Sequence, residues 1–222
     1  MTTPDLQLRT LLVLDDDGRS VSTREPGAYR APAFGLIRGY DACAWAVRAD
    51  VPDDVADELD RLAREEPPVA DLEQPPIHAD RYLALIDGRV DAGPAYTFPD
   101  AIPEPDGAVL VTDPGPLEHY FKDMIDEIDG RSPVLAVLDD GRAVSTCHCA
   151  RRSDEAAEAG LYTLEAYRGR GFGPRVTAAW ALAILASGRI PLYSTSWTNE
   201  ASRTVARKLG LTAYASDWSI AD

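Results

Sequence analysis

The residues with the most obvious chemical potential lie between Leu161 and Val176, in LYTLEAYRGRGFGPRV. An extended apolar stretch gives way to Arg168, Gly169, Arg170, Gly171, Phe172 and Gly173, and Pro174 sits in the first turn of a following helix. Proline at that place is pre-set for a helix start and gives up no donor the helix needs. Glycines allow close approach of a ligand to the backbone and let successive N–H groups turn toward one point. The helix N-terminus adds about half a positive charge there. Together these make a cradle for a pyrophosphate, with Arg168 and Arg170 available to outer phosphates. The loop lacks the Gly-Lys-Ser/Thr of a Walker cradle. It also lacks the parallel βαβ setting and downstream acid of a dinucleotide fingerprint, because it follows consecutive antiparallel strands. Two plainer readings stand beside the cradle: an ordinary strand-to-helix loop, and a basic tract of the RNA-binding kind.

The charge balance bears on that choice. The 222 residues carry a formal net charge of −15. A field of that sign repels phosphate backbones and anionic lipid, so neither nucleic acid nor membrane is the expected partner. It suits a cationic amine, although it equally suits mere solubility. No apolar run approaches the ~20 residues of a membrane-spanning helix, and no basic segment leads into an apolar stretch as in a signal peptide. A soluble, cytoplasmic protein is expected. Of the three cysteines, two flank a histidine in Cys147-His148-Cys149. Adjacent strand residues point to opposite faces and no second Cys/His cluster exists, so no metal site is expected.

The elements that must position the loop can be read from periodicity. Three segments, 11–21, 83–90 and 135–144, join an apolar run to an acidic-Gly-Arg turn and read as hairpins, since Gly supplies the positive φ of tight turns. They either share turn chemistry or record a duplication. Strands are expected at 34–39 and 42–49 and a helix at 54–65. The proline- and acid-rich stretches 65–80 and 99–107 read as linkers, the second dividing an N-terminal α/β extension (1–107) from a second domain (108–222). In the second part, a strand near 108 precedes an amphipathic helix at 115–129 with Leu117, Tyr120, Phe121, Met124, Ile125 and Ile128 on its apolar face. Strands at 133–139, 142–150 and 158–164, an apolar helix at 174–187, a strand at 191–196, a helix at 199–209 and a last strand at 211–218 complete an α+β, mixed α/β domain.

Arg168, Gly171 and Gly173, following Tyr162, Thr163 and Tyr167, resemble the Arg/Gln-x-x-Gly-x-Gly/Ala signature of the GNAT superfamily of N-acetyltransferases. A second likeness lies downstream. There PLYSTSW (191–197) leads into Asn199-Glu200-Ala201-Ser202, then Ala206-Arg207-Lys208-Leu209-Gly210-Leu211, which is similar to the family's helix ending in Lys-x-Gly-Phe. The resemblance covers roughly 108–222, with the N-terminal half looking like an extension found in a less studied subgroup. It implies a central, mostly antiparallel sheet flanked by helices, with acetyl-CoA as co-substrate and an amine as acceptor. The acceptor is expected to be small, with a protein or peptide amine as the lesser alternative, and a homodimer is compatible with the family. Main-chain groups of Tyr162, Thr163 and Leu164 would pair with the pantetheine arm. N–H groups from Gly169 through Arg170, Gly171 and Phe172 to Gly173 would hold the pyrophosphate. Asn199 would contact pantetheine or serve as a helix cap, and Ser202 would lie near the adenine end.

Amide formation needs a neutral amine near the thioester, a donor for the developing oxyanion and a proton for the leaving thiolate. A backbone N–H near Thr163–Leu164 is the expected oxyanion donor. Glu158, at the head of the strand, is the candidate base, with a solvated acid as its bland alternative. His148 is the backup, or else a half-buried strand histidine. Many relatives carry a tyrosine two positions before the lysine of Lys-x-Gly-Phe, where this sequence has Ala206. Tyr193 or Tyr214 would have to serve as the acid, unless both only pack and water protonates the thiolate. A fold that binds acyl-CoA without turnover is the competing reading.

Overall fold

The computed structural model describes residues 3–222. A short hairpin of β1 (Leu12–Leu14) and β2 (Ser20–Thr23) stands apart from one large sheet. That sheet is built from β3 (Phe34–Gly39), β4 (Cys43–Val47), β5 (Arg89–Thr97), β6 (Val109–Leu110), β7 (Leu135–Asp139), β8 (Arg142–Arg152), β9 (Ala156–Thr163), β10 (Ile190–Ser194) and β11 (Thr212–Ala221). Its nine strands run in the order β4-β3-β11-β5-β10-β9-β8-β7-β6. Every neighbouring pair is antiparallel except β9 and β10. This is the mixed architecture, rich in antiparallel pairs, that the sequence leads one to expect.

Alternation along the strands sorts the core into two faces. On one face, Phe34, Leu36, Trp218 and Ile220 pack under α2 (Asp53–Arg64) and α3 (Ala79–Leu85), whose Leu59, Leu62 and Tyr82 are fully buried. On the same face, Cys147, Cys149 and Ala157 meet α6 (Phe172–Ala186) and α7 (Glu200–Lys208) through Val176, Trp180, Ile184 and Ala206. The low amphipathicity of α6 follows from this burial. The opposite face is crossed by α1 (Pro4–Leu11), whose Leu8 and Leu11 pack on Ile37, Ala95 and Ala215. Thr3 caps α1 by accepting from the Leu6 N–H, and Pro4 occupies its first turn.

The sequence expectations differ from the structure in four places. Segment 83–90 is no hairpin. Tyr82 and Ile86, four residues apart, both enter the core, so the apolar run is the inner face of α3 and its end. The strand expected from about 108 shrinks to Val109–Leu110. The helix expected over 115–129 is broken into a single 3-10 turn at Gly115–Leu117 followed by α4 (Lys122–Ile125) and α5 (Ile128–Arg131). Phe121 leaves helical geometry at φ −128°, ψ 33°, and both it and Leu117 are buried against Ala136 and Ala143. Packing here overrides local periodicity, and Asp123, Asp126 and Asp129, three apart, weaken a continuous helix by like-charge repulsion. Last, β5 lies between β11 and β10, so the sheet runs through the boundary expected near residue 107.

Leu59 is fully buried between α2 and the sheet. Leu59→Ala should therefore lower unfolding stability by about 2–5 kcal/mol, measured by urea denaturation of the full chain.

Candidate active site

The parallel pair at the centre of the sheet holds together only briefly. Ile190, Pro191 and Leu192 of β10 pair with Ala156, Ala157 and Glu158 of β9, and the pairing stops there. Beyond it β10 turns toward β5: the Thr195 N–H donates to Pro94 O and the Trp197 N–H to Ala92 O. Gly93 permits this crossing, since a Cβ there would sit 1.7 Å from the Thr195 carbonyl oxygen. The two strands thus open a groove of about 640 Å³, walled by β9, the 168–173 loop, Tyr193, Ser194, Thr195 and α7.

The edge of β9 that faces this groove is set by alternation. The Leu164 N–H donates to Val144 O of β8 at 3.0 Å. Main-chain groups of Leu164 and Tyr162 therefore belong to the β8 side, and those of Thr163, Leu161 and Ala159 turn to the open edge. This corrects the expectation for Leu164 and Tyr162 as main-chain partners of an extended ligand, and removes the Leu164 N–H as an oxyanion donor. The Tyr162 side chain still lines the groove.

The loop has the cradle geometry. Gly169 (φ 78°) and Gly171 (φ 80°) both occupy the left-handed region, which costs glycine little and other residues more. No protein acceptor among the described residues takes the N–H of Gly169, Arg170, Gly171, Phe172 or Gly173. Gly171 forms the N-terminus of the 15-residue α6 and no side chain caps it. Gly173 lies close to Val205, Leu161 and Thr163, which brings α6 against β9. Arg168 lines the groove and its Nε donates to Thr163 O at 3.3 Å. Arg170 instead lies over the Tyr167 ring at 4.9 Å and is not part of the groove wall. Lys208 also lines the groove; the sequence displays it only as a member of the α7 motif.

On the far wall, Asn199 accepts from the Ser202 N–H at 3.0 Å and so caps α7 while facing the groove. Ser202 Oγ lies 2.6 Å from the Tyr193 hydroxyl, an attachment to β10 that the sequence does not reveal. Burial pushes Tyr193 up to about 12, so it keeps its proton at neutral pH. Of the two candidate tyrosine acids it is the one in the groove wall. Tyr214 is elsewhere: its hydroxyl donates to Gln7 Oε1 at 2.6 Å, on the α1 side of the sheet.

Glu158 is buried, with 2% exposure. Its Oε1 accepts from Gln7 Nε2 at 3.0 Å and Ser194 Oγ at 2.6 Å, and its Oε2 accepts from Arg151 at 2.6 Å. It therefore does not face the groove directly, as the base expectation required; Ser194, which it holds, does. His148 lies over Gly160, where a Cβ would come within 2.5 Å of its Nε2. That nitrogen is 3.1 Å from Arg131, and the ring is outside the groove wall. Cys147 and Cys149 point to the α6 face, away from it.

Residues 119–216 match the family model of GNAT acetyltransferases. Among solved structures, a functionally unknown conserved protein from Staphylococcus epidermidis aligns over 99% of this chain and 96% of its own, at 12% identity and a TM-score of 0.54, a likeness of fold. A GCN5-related N-acetyltransferase-like protein from Streptococcus suis aligns over 86% of this chain and 84% of its own, at 20% identity and a TM-score of 0.48. A GNAT-family protein from Novosphingobium aromaticivorans aligns over 59% of this chain, at 21% identity and a TM-score of 0.47, and the match spans 64% of that protein's length. Comparison with curated proteins finds no match.

Burial, followed by the Arg131 charge, lowers His148 from 6.5 to about 4. A histidine whose folded pKa lies below its unfolded value binds fewer protons when folded. The stability it contributes is intact above about pH 6.5 and is lost as pH falls toward 4. Imidazole NMR titration should give a His148 midpoint near 4, with the ring neutral at pH 7.

Proposed function

We propose that this chain, a GNAT-superfamily protein through residues 119–216, transfers the acetyl group of acetyl-CoA to the nitrogen of a small amine. The observation that carries the reading is the groove opened by β9 and β10, ending on five free main-chain N–H groups at the start of α6. Such an array, reinforced by the α6 dipole, suits a diphosphate. Arg168 and Lys208 supply cationic side chains along the same wall. The open edge of Thr163 and Leu161 suits the amides of a pantetheine arm, in the manner of an added strand. Bound acetyl-CoA would supply the activated thioester carbonyl.

The remaining tasks fall to this chain's own side chains. Tyr193, protonated and facing the groove, is the candidate donor to the leaving sulfur. The Thr163 N–H, on the open edge, takes the oxyanion role expected of the Thr163–Leu164 region. Ser194 lines the groove, and its hydroxyl donates to Glu158, which gives a route for the amine proton toward that carboxylate. The N-terminal half contributes α1 and β5 on the side from which an acceptor would approach.

A second reading, an acyl-CoA-binding module without turnover, draws on one observation. Ala206, at the position where many relatives carry the acidic tyrosine, is 1% exposed and packed in the core. Acetyl-CoA binding with no CoA release across a broad amine panel would favour it.

Under the transferase reading, acetyl-CoA raises the melting temperature and at least one amine elicits CoA release. The double variant Arg168→Ala, Gly171→Asp should abolish the thermal shift while remaining folded. A full shift retained in that folded variant counts against the cradle.

A further inference from the structure

Ser194 and Thr195 line a second cavity as well as the groove. This second space, of about 220 Å³, lies on the α1 side of the sheet. Leu8, Leu11 and Leu12 give it an apolar wall. Its other wall is acidic. Asp217 of β11 lines it, and Asp91 of β5 joins from the neighbouring strand, where it opposes Ser219. The guanidinium that also lines the cavity, Arg151, is already bound to Glu25 and Glu158.

Two polar groups there lack a hydrogen-bond partner, the half-buried carboxylate of Asp217, on which the Arg151 charge acts through space, and the buried hydroxyl of Thr23. Neither oxygen of Asp217 accepts a hydrogen bond among the described residues, and burial, then the Glu158 charge, push its carboxyl up to about 7. Thr23 Oγ1, on the same wall, is buried and also unpartnered. Buried polar groups in a folded protein ordinarily find partners. A cavity that leaves a carboxylate and a hydroxyl unpaired opposite an apolar wall is shaped for a ligand that brings a cation and a hydrophobic body together.

We infer that this cavity is the acceptor site, and that it takes a small primary amine with an apolar body, its ammonium paired with Asp217 and its carbon skeleton against Leu8, Leu11 and Leu12. The inference rests on the transferase reading above and adds the substrate class to it. An amine seated on Asp217 shares Ser194 and Thr195 with the groove. Once its ammonium has passed a proton through Ser194 to Glu158, the neutral nitrogen attacks the thioester carbonyl from the opposite face of the sheet, the C–N bond forming as the C–S bond breaks and the CoA thiolate taking a proton from Tyr193. Amines that also carry a carboxylate are disfavoured, because they would set a further negative charge beside Asp91 and Asp217.

The test uses the full chain with acetyl-CoA and phenethylamine, following CoA release, with glutamate as the carboxylate-bearing comparison. Phenethylamine should be acetylated in preference to glutamate. Asp217→Asn should raise the KM for phenethylamine roughly 10- to 100-fold, the scale of one lost charge-assisted hydrogen bond, and leave the acetyl-CoA thermal shift in place. Gly35→Val is the second variant. Gly35 lines the cavity, and a Cβ there makes only an ordinary 3.8 Å contact with Leu12, so the larger side chain should block the amine while donor binding persists. An acetyl-CoA shift in the wild type with no phenethylamine turnover overturns the inference alone. So does an unchanged KM in both folded variants. Absence of any acetyl-CoA shift in the wild type overturns the transferase reading itself.

Discussion

The structure depends on the early parting of the parallel pair β9 and β10. Once β10 leaves β9 after Glu158 and Leu192, the inner edge of β9 has main-chain groups with no strand to meet. Buried backbone donors and acceptors need partners, so a sheet opened at its centre calls for something to lie in the gap. The arrangement is kept open by what happens to β10 beyond that point. It crosses to β5 so closely that only glycine fits at position 93, and it is tied to α7 by the Tyr193–Ser202 contact. The groove is thus a product of strand direction and strand pairing.

The opening also explains why two polar systems sit on either side of it. On the α6 side, the loop from Arg168 to Gly173 turns its N–H groups outward, because two left-handed glycines and an uncapped helix start leave them no internal acceptor. On the α1 side, Gln7 reaches across to Glu158, and Tyr214 reaches to Gln7. Ser194 lies between the two systems. A carboxylate as buried as Glu158 is sustained by three donors; the same saturation makes it a holder of Ser194 rather than a group presented to a ligand.

Much of this was legible in the residues. The glycine-arginine loop, the helix after it and the strand before it follow from short-range chemistry, and the structure has them where periodicity puts them. The hairpin at 135–144 forms because Asp140 and Gly141 both take positive φ. What eluded the sequence is long-range. Nothing local in 89–97 reveals that this segment pairs with two strands roughly a hundred residues further along the chain, or that residues 4–11, too short for a firm periodic pattern, form a helix that delivers Gln7 to Glu158. The direction of the Leu164 N–H depends on its register with Val144, and strand faces alone do not fix which edge is open. The broken helix at 115–131 shows the reverse case, where clear periodicity yields to two aromatic and aliphatic anchors competing for one patch of sheet.

The position of β5 has a consequence for how the chain can be divided. It is the strand that joins β10 to β11, yet it comes from the part of the sequence that precedes the family match. Excising the matched segment, 119–216, as a free-standing piece would leave β10 as a raw edge and cut β11 short, without either of its partners β3 and β5, the kind of surface that invites association with other chains. The matched segment and the residues before it are in this sense a single folding unit, and any exchange of the preceding segment would have to carry this strand along or supply a substitute for it.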